Sequence, residues 1–295
     1  MVQVRRIAYA TFETPDVRRL TDYYVEVLGL AVAAQDGNAA FLASPIGQPM
    51  VVLRRGDAAR CAQLTFQVDP QADPGEVVRA LARHDIATQR RTDPNPFAAE
   101  SILLHDRDGL AVELVRELRF PGDAFASAGI GPLKLGHVAF NVPDAQRTVD
   151  FYVDVLGFRV SDWMGDFFAF LRCGPDHHTV NFIRSARTKM HHIAFELRDW
   201  AHVHDACDHL AKHGRELIWG PGRHGIGHNI FIYHRNPDDQ IVELFTELDL
   251  MKDEALGYFE PRPWHADRPQ RPKVWQPGGP ASNMWGGPPP PGFRD

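Results

Sequence analysis

In the second half of the chain, the spacing of hydrophobic residues predicts several short strands and two helices. The segment 135–142 is apolar and β-branched, and Pro143 ends it, which predicts a strand. Asp144 suits the N-cap of a helix over 145–156, and Gly157 suits its C-terminal end. Three short strands follow, and the same order then occurs a second time. The further predicted elements are strands 158–163, 167–173, 178–184, 191–197, 216–219, 228–234 and 241–247, and a second helix over 201–213.

The first half of the chain repeats this pattern in register. Residues 6–16 read RIAYATFETPD, and residues 134–144 read KLGHVAFNVPD, 128 positions later (from 9 to 137). The match continues to 112–114 and 242–244, where the offset has drifted only to 130 (from 112 to 242). So small a drift indicates a duplication with short loop insertions, and the period is too long for a solenoid.

The duplicated pattern predicts an α+β fold of four βαβββ units in two tandem domains. The first domain would cover 1–125 and the second 131–250, followed by a tail over 251–295. From about 261 the tail is rich in Pro and Gly, a composition that favours neither a regular helix nor a strand. We expect either a disordered tail or a strap over the active site, held by three tryptophans: Trp264, Trp275 and Trp285.

Composition excludes several classes of function. The chain has 295 residues and a net charge of −6 with no long basic run, so nucleic acid is not an expected partner. No apolar run approaches the ~18–20 residues of a membrane helix, and the N-terminus lacks the apolar core of a signal peptide. Cys61, Cys173 and Cys207 are scattered, which suits a reducing compartment. We expect a cytoplasmic protein and a homo-oligomer.

Three residues on predicted strands of the second half are candidate metal ligands: His137, His192 and Glu243. The two histidines stand at the same point of their units, so a pseudo-twofold would make them face one cavity. Two imidazoles and one carboxylate leave about three open positions on an octahedral ion, as in the facial triad of non-haem Fe(II) oxygenases. Tyr9 and Gln63 replace the histidines in the first half. The alternative interpretation is that all three are ordinary half-buried strand residues.

The adjacent His191 is the other candidate for the second imidazole. Alignment on the HVAF sequence that begins at His137 selects His192, which precedes IAF. Because side chains alternate along a strand, His191 is expected to point to the opposite face.

The motifs of the second half resemble those of the type I extradiol, ring-cleaving catechol dioxygenases of the vicinal oxygen chelate superfamily. The matching segments read LGHVAFNVPD, DHHTVNF, MHHIAFE, GPGRHGIGHNIFIY and NPDDQIVELFTE, and resemble most the homoprotocatechuate- and dihydroxybiphenyl-type enzymes. The resemblance covers about residues 1–250. It implies two tandem vicinal-oxygen-chelate domains, each a cupped mixed sheet, of which the N-terminal one is non-catalytic. It also implies Fe(II), with Mn(II) as the alternative, bound by His137, His192 and Glu243.

The same resemblance implies roles for three more residues. His178, the second histidine of DHHTVNF, matches the acid–base histidine of the family. His224 in GPGRHG matches a histidine that hydrogen-bonds near the substrate, and Tyr233 matches the active-site tyrosine. A histidine with a near-neutral pKa beside open metal positions suits proton transfer. An ordinary structural role is the alternative for each residue.

The implied activity is extradiol cleavage of a catechol by O2, giving a ring-opened semialdehyde or keto-acid in aromatic catabolism. A cation favours this chemistry because it lowers the pKa of a bound phenol. Two alternatives use the same fold. One is a glyoxalase-like metal-dependent isomerase or lyase, and the other is a non-catalytic protein that binds aromatic or drug-like molecules.

Two departures from the family concern the substrate. Ala139 replaces an Asn of the homoprotocatechuate enzymes, and Trp219 replaces an Arg that would bind a substrate carboxylate. We therefore expect a more apolar ring. The opposing observation is that Arg268, Arg271 and Lys273 in the tail could reach over the mouth of the cavity. The predicted pocket walls are Trp163, Phe168 and Trp219.

Overall fold

The structure is a computed structural model that describes residues 2–120, 128–260 and 269–293. The strands of the first half are β1 (Val4–Thr14), β2 (Ala31–Gln35), β3 (Ala39–Ala43), β4 (Pro49–Arg55), β5 (Arg60–Val68), β6 (Gln89–Asn95), β7 (Ala98–His105) and β8 (Ala111–Val115). Those that follow are β9 (Lys134–Val142), β10 (Arg159–Met164), β11 (Phe168–Arg172), β12 (Val180–Arg184), β13 (Lys189–Glu196), β14 (Leu217–Arg223), β15 (Ile230–Arg235), β16 (Ile241–Thr246) and β17 (Lys273–Trp275). The helices are α1 (Val17–Asp22), continued by a π-helical turn (Tyr23–Val27), α2 (Pro74–Ala82), α3 (Ala145–Asp154), α4 (Trp200–Lys212) and α5 (Gly279–Ser282). Within the described ranges, no helix is long and apolar enough to cross a bilayer.

The strands form two mixed sheets, one in each half of the chain. The first has the order β2-β3-β4-β1-β5-β8-β7-β6, and the second β14-β15-β16-β13-β9-β12-β11-β10-β17. In each βαβββ unit the first strand pairs in parallel with the last. The first strands of two successive units pair antiparallel at the centre of the sheet. The predicted α+β fold of four units is confirmed, and the domain limits 1–125, 131–250 and 251–295 stay predictions.

Capping residues explain where the helices of the second half begin and end. Asp144 accepts a hydrogen bond from the backbone N–H of Arg147 at 3.0 Å, which satisfies a free donor of the first turn of α3. Asp199 does the same for α4 through the N–H of His202 at 2.9 Å. Gly157 follows α3 with a φ of 76°, a conformation that side chains with a Cβ rarely adopt.

The centre of the second sheet brings the three predicted metal ligands onto adjacent strands. His137 lies on β9, His192 on β13 and Glu243 on β16. Ala194 of β13 pairs with His137 on one side and with Glu243 on the other. A shift of register between Met190 and His192 interrupts the regular alternation at the start of β13. The strand order therefore positions the site before any loop contributes.

The two halves share one continuous hydrophobic core and are joined by polar contacts. The backbone N–H of Val2 donates to the carbonyl oxygen of Val155 at 2.9 Å. The hydroxyl of Tyr23 lies 2.6 Å from Nε2 of His234. Both of these side chains are buried, so the contact is part of the interior.

The tail contains regular structure, and the expectation that it would form neither helix nor strand was wrong. β17 pairs in parallel with β10, with Val274 opposite Trp163, and α5 follows it. Pro272 and Pro277 flank β17 without interrupting it, so a short strand can form at the sheet edge. The predicted tail residues Trp264 and Arg268 lie in 261–268, outside the described residues.

Candidate metal centre and active site

Three ligand atoms of the predicted triad converge inside the second sheet. Nε2 of His137 lies 3.1 Å from Nε2 of His192 and 3.1 Å from Oε2 of Glu243. Nε2 of His192 lies 3.2 Å from the same carboxylate oxygen. All three residues are buried. In the part of the chain that the structure describes, they are the one group of three His, Cys, Asp or Glu side chains whose ligand atoms meet in this way.

The size of this triangle fits one face of an octahedral ion. Ligand nitrogen and oxygen atoms lie about 2.0–2.2 Å from a divalent transition metal, so neighbouring ligands at right angles lie about 2.8–3.1 Å apart. The observed edges are 3.1, 3.1 and 3.2 Å. Two imidazole nitrogens and a carboxylate oxygen are lone-pair donors, and a cation between them accounts for their close approach.

The interior environment gives the triad the charge that a divalent cation needs. Burial lowers the pKa of His137, so that its imidazole is neutral and offers a lone pair. Burial alone would raise the pKa of Glu243, but its interactions with His137 and His192 outweigh burial and hold that pKa well below the ordinary value. The site therefore presents a neutral imidazole at His137 and an ionised carboxylate at Glu243, beside the imidazole of His192.

Two residues outside the predicted set hold the ligands in place. Nδ2 of Asn229 donates to Oε1 of Glu243 at 2.9 Å, which leaves Oε2 for a metal. Nδ1 of His191 lies 2.6 Å from Nδ1 of His192. When Nε2 of His192 is a ligand, its Nδ1 carries the proton and donates to His191.

The expectation that His191 points to the opposite face was wrong. Its side chain lines the same cavity as His192. The physical reason is the register shift between Met190 and His192, which breaks the two-residue alternation at this point of β13. His192, not His191, joins the converging ligand atoms.

His178 lies beside the triad, two residues before β12 begins. Its ring centroid is 4.3 Å from that of His137. Its Nδ1 lies 3.0 Å from Nδ1 of His177, which leaves Nε2 for the cavity. Burial lowers the pKa of His178 well below the ordinary value, so the ring is neutral.

His224 and Tyr233 form a hydrogen-bonded pair that also lines the cavity. Nδ1 of His224 lies 2.6 Å from the carbonyl oxygen of Ser282, and its Nε2 lies 3.0 Å from the hydroxyl of Tyr233. Because a carbonyl only accepts, Nδ1 carries the proton and Nε2 accepts from the tyrosine O–H. Burial lowers the pKa of His224 to about 4 and raises the pKa of Tyr233 well above its ordinary value. Both side chains are therefore uncharged at neutral pH.

Apart from these polar groups, Asn181 and Ser282, the walls of the cavity are apolar. Its volume is about 70 Å³, with further space towards its open mouth. Of the predicted wall residues, Phe168 and Trp219 line it, and the tail adds Ala281 and Ser282. The remaining apolar walls are Met164, Phe170, Ile183, Ile226, Pro289 and Phe293. None of the lining residues in the described ranges is Arg or Lys.

Two predicted substrate residues are not found in this wall. Trp163 precedes Met164 on β10, and because side chains alternate along a strand the two face opposite sides. Met164 lines the cavity, whereas Trp163 packs against the main hydrophobic core, so the prediction for Trp163 was wrong. Arg268 lies outside the described residues.

The first half holds a hydrogen-bond network at the positions that match the triad. Oε2 of the buried Glu113 accepts from the Tyr9 hydroxyl at 3.1 Å and from Nε2 of Gln63 at 2.8 Å. Its Oε1 accepts from Arg91 at 3.1 Å and from Ser101 at 2.7 Å. The Arg91 guanidinium supplies the positive charge that balances the buried carboxylate.

Comparison with known proteins gives one family and several relatives. The profile of the glyoxalase/bleomycin resistance protein/dioxygenase superfamily matches residues 134–244. Metapyrocatechase 2 of Cupriavidus necator is 37% identical over 120 residues, which span 40% of this chain and 38% of that protein. The 2,2',3-trihydroxybiphenyl dioxygenase of Sphingomonas paucimobilis is 27% identical over 293 residues, covering 93% of this chain and 97% of that protein.

The whole architecture is also found in a solved structure. The Mn(II)-bound glyoxalase from Novosphingobium aromaticivorans has a TM-score of 0.86 at 25% identity, and the match covers 98% of this chain and 94% of that one. The matched superfamily, the shared two-sheet fold and the buried triad agree with one another. Residues 134–244 therefore form a domain of the glyoxalase/bleomycin resistance protein/dioxygenase superfamily, and the chain is similar over most of its length to a trihydroxybiphenyl dioxygenase.

Proposed function

We propose that this enzyme cleaves a catechol-type aromatic diol by extradiol addition of both atoms of O2, at a site that binds Fe(II). The observation that carries the proposal is the buried triangle of His137, His192 and Glu243, whose edges of 3.1–3.2 Å fit one face of an octahedral ion. That arrangement leaves three neighbouring positions, enough for a bidentate diol and one further small molecule. Mn(II) uses the same ligands and is the alternative metal.

The chemistry that a bound Fe(II) supplies is to lower the pKa of the diol and to allow electrons to pass from the diol to O2. The protein positions this chemistry through its own ligands. Asn229 donates a hydrogen bond to one oxygen of Glu243, and His191 accepts a hydrogen bond from Nδ1 of His192. With these partners fixed, the ligand atoms keep their positions as substrate enters.

Three side chains around the triad have proposed roles in handling protons and oxygen atoms. His178 is neutral and presents Nε2 to the cavity, so we assign it the role of acid–base residue. His224 and Tyr233 are neutral and bonded to each other, and we assign them to hydrogen-bonding the diol or ring-opened product.

The shape and chemistry of the cavity support an apolar catechol as the substrate. Phe168, Trp219 and their apolar neighbours line it, and its described walls contain no cation that would pair with a carboxylate. Trp219 is stacked on Tyr233 with ring centroids 5.5 Å apart, which gives a flat aromatic wall. A catechol with an alkyl or aryl substituent fits such walls better than one with a charged side chain.

Oxygen uptake with a set of catechols tests this proposal. The protein is loaded anaerobically with Fe(II) and mixed with aerated catechol, 3-alkyl- or 3-arylcatechol, and a carboxylated catechol. We expect oxygen consumption together with a yellow ring-fission product, and the highest kcat/KM with the apolar catechols. A folded, Fe(II)-loaded enzyme that consumes no oxygen with any of them would contradict the proposal and favour the isomerase or the binding protein.

We also propose that the protein works in the cytoplasm as a homo-oligomer. The cysteines Cys61, Cys173 and Cys207 are all free, which suits a reducing compartment. Light scattering of the purified enzyme tests the oligomer, and the expected mass is at least twice that of one chain.

A further inference from the structure

We propose that Asp162 and His177 form a positioning unit that keeps the proton of His178 on Nδ1, so that its Nε2 faces the cavity as a proton acceptor. The inference rests on the proposed role of His178 as the acid–base residue. It goes further because it gives a function to two buried side chains, and to part of the tail, that lie outside the metal site.

A continuous chain of hydrogen bonds runs from the tail to the cavity. The indole N–H of Trp275 donates to Oδ2 of Asp162 at 2.8 Å, and the backbone N–H of Lys273 donates to Oδ1 at 2.8 Å. Nε2 of His177 lies 3.1 Å from Oδ2 of Asp162. Nδ1 of His177 then lies 3.0 Å from Nδ1 of His178. Each ring is thus bonded on a defined nitrogen.

The position of each proton follows from the donors and acceptors along this chain. An ionised carboxylate only accepts, so Nε2 of His177 carries a proton and donates to Asp162. A neutral imidazole has one N–H, so Nδ1 of His177 is an acceptor. Nδ1 of His178 must therefore be the donor, and Nε2 of His178 has the free lone pair.

Burial protects this arrangement from competition by water. His177, Asp162 and His178 are exposed by 0%, 1% and 3%. The ring of Phe259 lies 4.7 Å from that of His177. Gly227, with a φ of +76°, leaves no room on the other side: a Cβ there would lie 3.2 Å from Nδ1 of His177 and 3.3 Å from Cε1 of His178. Packing therefore holds both rings in the bonded orientation.

The unit is present only in the half that carries the metal triad. By strand register, Ala34 of β2 stands where Asp162 stands on β10, and Gln48 and Pro49 stand where the two histidines lie before β12. None of these three residues can form such a chain. The tail likewise adds a strand only to the second sheet. The positioning unit, the tail strand β17 and the metal triad all occur in the same half. This supports a role for the unit in the chemistry of the site.

The decisive experiment determines the tautomer of His178 by ¹⁵N NMR. The full-length protein is labelled on histidine and loaded with Zn(II), a diamagnetic ion. We expect His178 protonated on Nδ1 and His177 on Nε2. Finding the proton of His178 on Nε2 would overturn the inference, whatever the activity of the enzyme, whereas an inactive wild-type enzyme with the expected tautomers would contradict only the proposed function.

A pair of variants connects the tautomer to turnover. In Asp162→Asn one of the two oxygens that accept from Lys273, Trp275 and His177 becomes an N–H₂ donor. The amide then competes with these donors, and His177 and His178 lose the acceptor that fixes their tautomers. We expect kcat to fall by ~10²–10⁴-fold, as when a catalytic histidine is held in the wrong tautomer, with metal content and KM changed by less than about threefold. Asp166→Asn is the matched control, because Asp166 is exposed and pairs with Arg184.

Two outcomes of this comparison would refute the positioning role. One is an Asp162→Asn enzyme with a wild-type kcat, and the other is an equal loss of kcat in Asp166→Asn. If Asp162→Asn does not fold, Trp275→Phe is used instead, since it removes the indole donor to Asp162 and keeps an aromatic ring at that position. It should lower kcat without changing metal content, and an unchanged kcat together with a wild-type His178 tautomer would show that the tail strand does not support the unit.

Discussion

Single side chains around the triad have separable effects on metal binding and on turnover. His178 is not a member of the triangle of ligand atoms, although its ring touches that of His137. In His178→Ala we therefore expect the metal to be retained and turnover to fall by ~10²–10⁴-fold, the range for loss of an acid–base residue. Metal analysis and steady-state oxygen uptake measure the two effects. His204→Ala, an exposed change on α4, is the control.

Asn229 is expected to act on the metal and not on proton transfer. Its amide holds Oε1 of Glu243 at 2.9 Å, so Asn229→Ala leaves the carboxylate free to rotate. Loss of such a partner typically lowers metal affinity by about 10–100-fold. Competition with a chromophoric chelator measures the affinity, with Asn38→Ala on an exposed turn as the control. Equal affinities for wild type and Asn229→Ala would refute this role.

At the residue scale, the sequence predicted the metal ligands but not the residues that hydrogen-bond to them. His137, His192 and Glu243 could be predicted because the duplication marks equivalent positions. Asn229 and the orientation of His191 could not be predicted, because one depends on a contact between neighbouring strands and the other on a local register shift. Neither leaves a periodic signal in the sequence.

Among the elements, α5 controls one wall of the cavity through its contact with Gly225. A Cβ on Gly225 would lie 2.2 Å from the carbonyl oxygen of Pro280, which is closer than any real contact. Gly225→Ala should therefore displace α5 and break the bond from His224 to Ser282. Loss of one hydrogen bond of ~1–1.5 kcal/mol corresponds to a rise of KM of about 5–10-fold.

The control for this change lies in the same helix. A Cβ on Gly279 would meet no atom within 4 Å, so Gly279→Ala should leave KM unchanged. Steady-state kinetics with a catechol measure both variants. A KM that rises equally in both would indicate general loosening of the tail and contradict the specific contact at Gly225.

Most elements were predictable from local signals, and the tail was not. The cap Asp144 and the terminator Gly157 behave as the sequence indicates because each acts through its own backbone. β17 depends on the free edge of β10, a long-range partner that composition does not reveal. The predicted wall Trp163 failed for a related reason, since a shift of one residue reverses the face of a strand.

On the scale of the whole molecule, the buried His234 at the junction of the two halves resists protonation. Burial and the charge of Arg215 lower the pKa of His234 to about 3, and its Nε2 is hydrogen-bonded to the hydroxyl of Tyr23. An unfolded histidine titrates near 6.5. Between these pH values the unfolded chain binds more protons than the folded one, so stability is lost as pH falls from about 6.5 towards 3.

The variant His234→Gln tests this dependence. Glutamine can accept the Tyr23 hydrogen bond but does not titrate, so its stability should fall less on acidification. Between pH 6.5 and pH 5 the wild type should lose about 1.7 kcal/mol more of its free energy of unfolding than the variant, because the unfolded histidine is half protonated at pH 6.5 and almost fully protonated at pH 5. Urea unfolding at the two pH values measures this, with His204→Gln as an exposed control. Parallel losses in wild type and His234→Gln would contradict the assignment.

The two halves have the same fold but different polar side chains in their interiors. In the first half Glu113 is satisfied by Tyr9, Gln63, Arg91 and Ser101, and in the second the matching Glu243 faces two imidazoles. The expected difference between the halves could be predicted from two substitutions. The Arg91 contact could not, because it comes from β6, outside the aligned motifs.

The measurement that tests the central claim most directly is isotope incorporation during turnover. The Fe(II)-loaded enzyme is mixed with an apolar catechol under ¹⁸O₂, and the product is analysed by mass spectrometry alongside Glu243→Gln. We predict that the wild type gives a ring-opened product that contains both oxygen atoms of one O2 molecule. We predict that the variant gives no ring-opened product. A product with the ring intact, or equal product from the variant, would contradict extradiol cleavage at the His137–His192–Glu243 site.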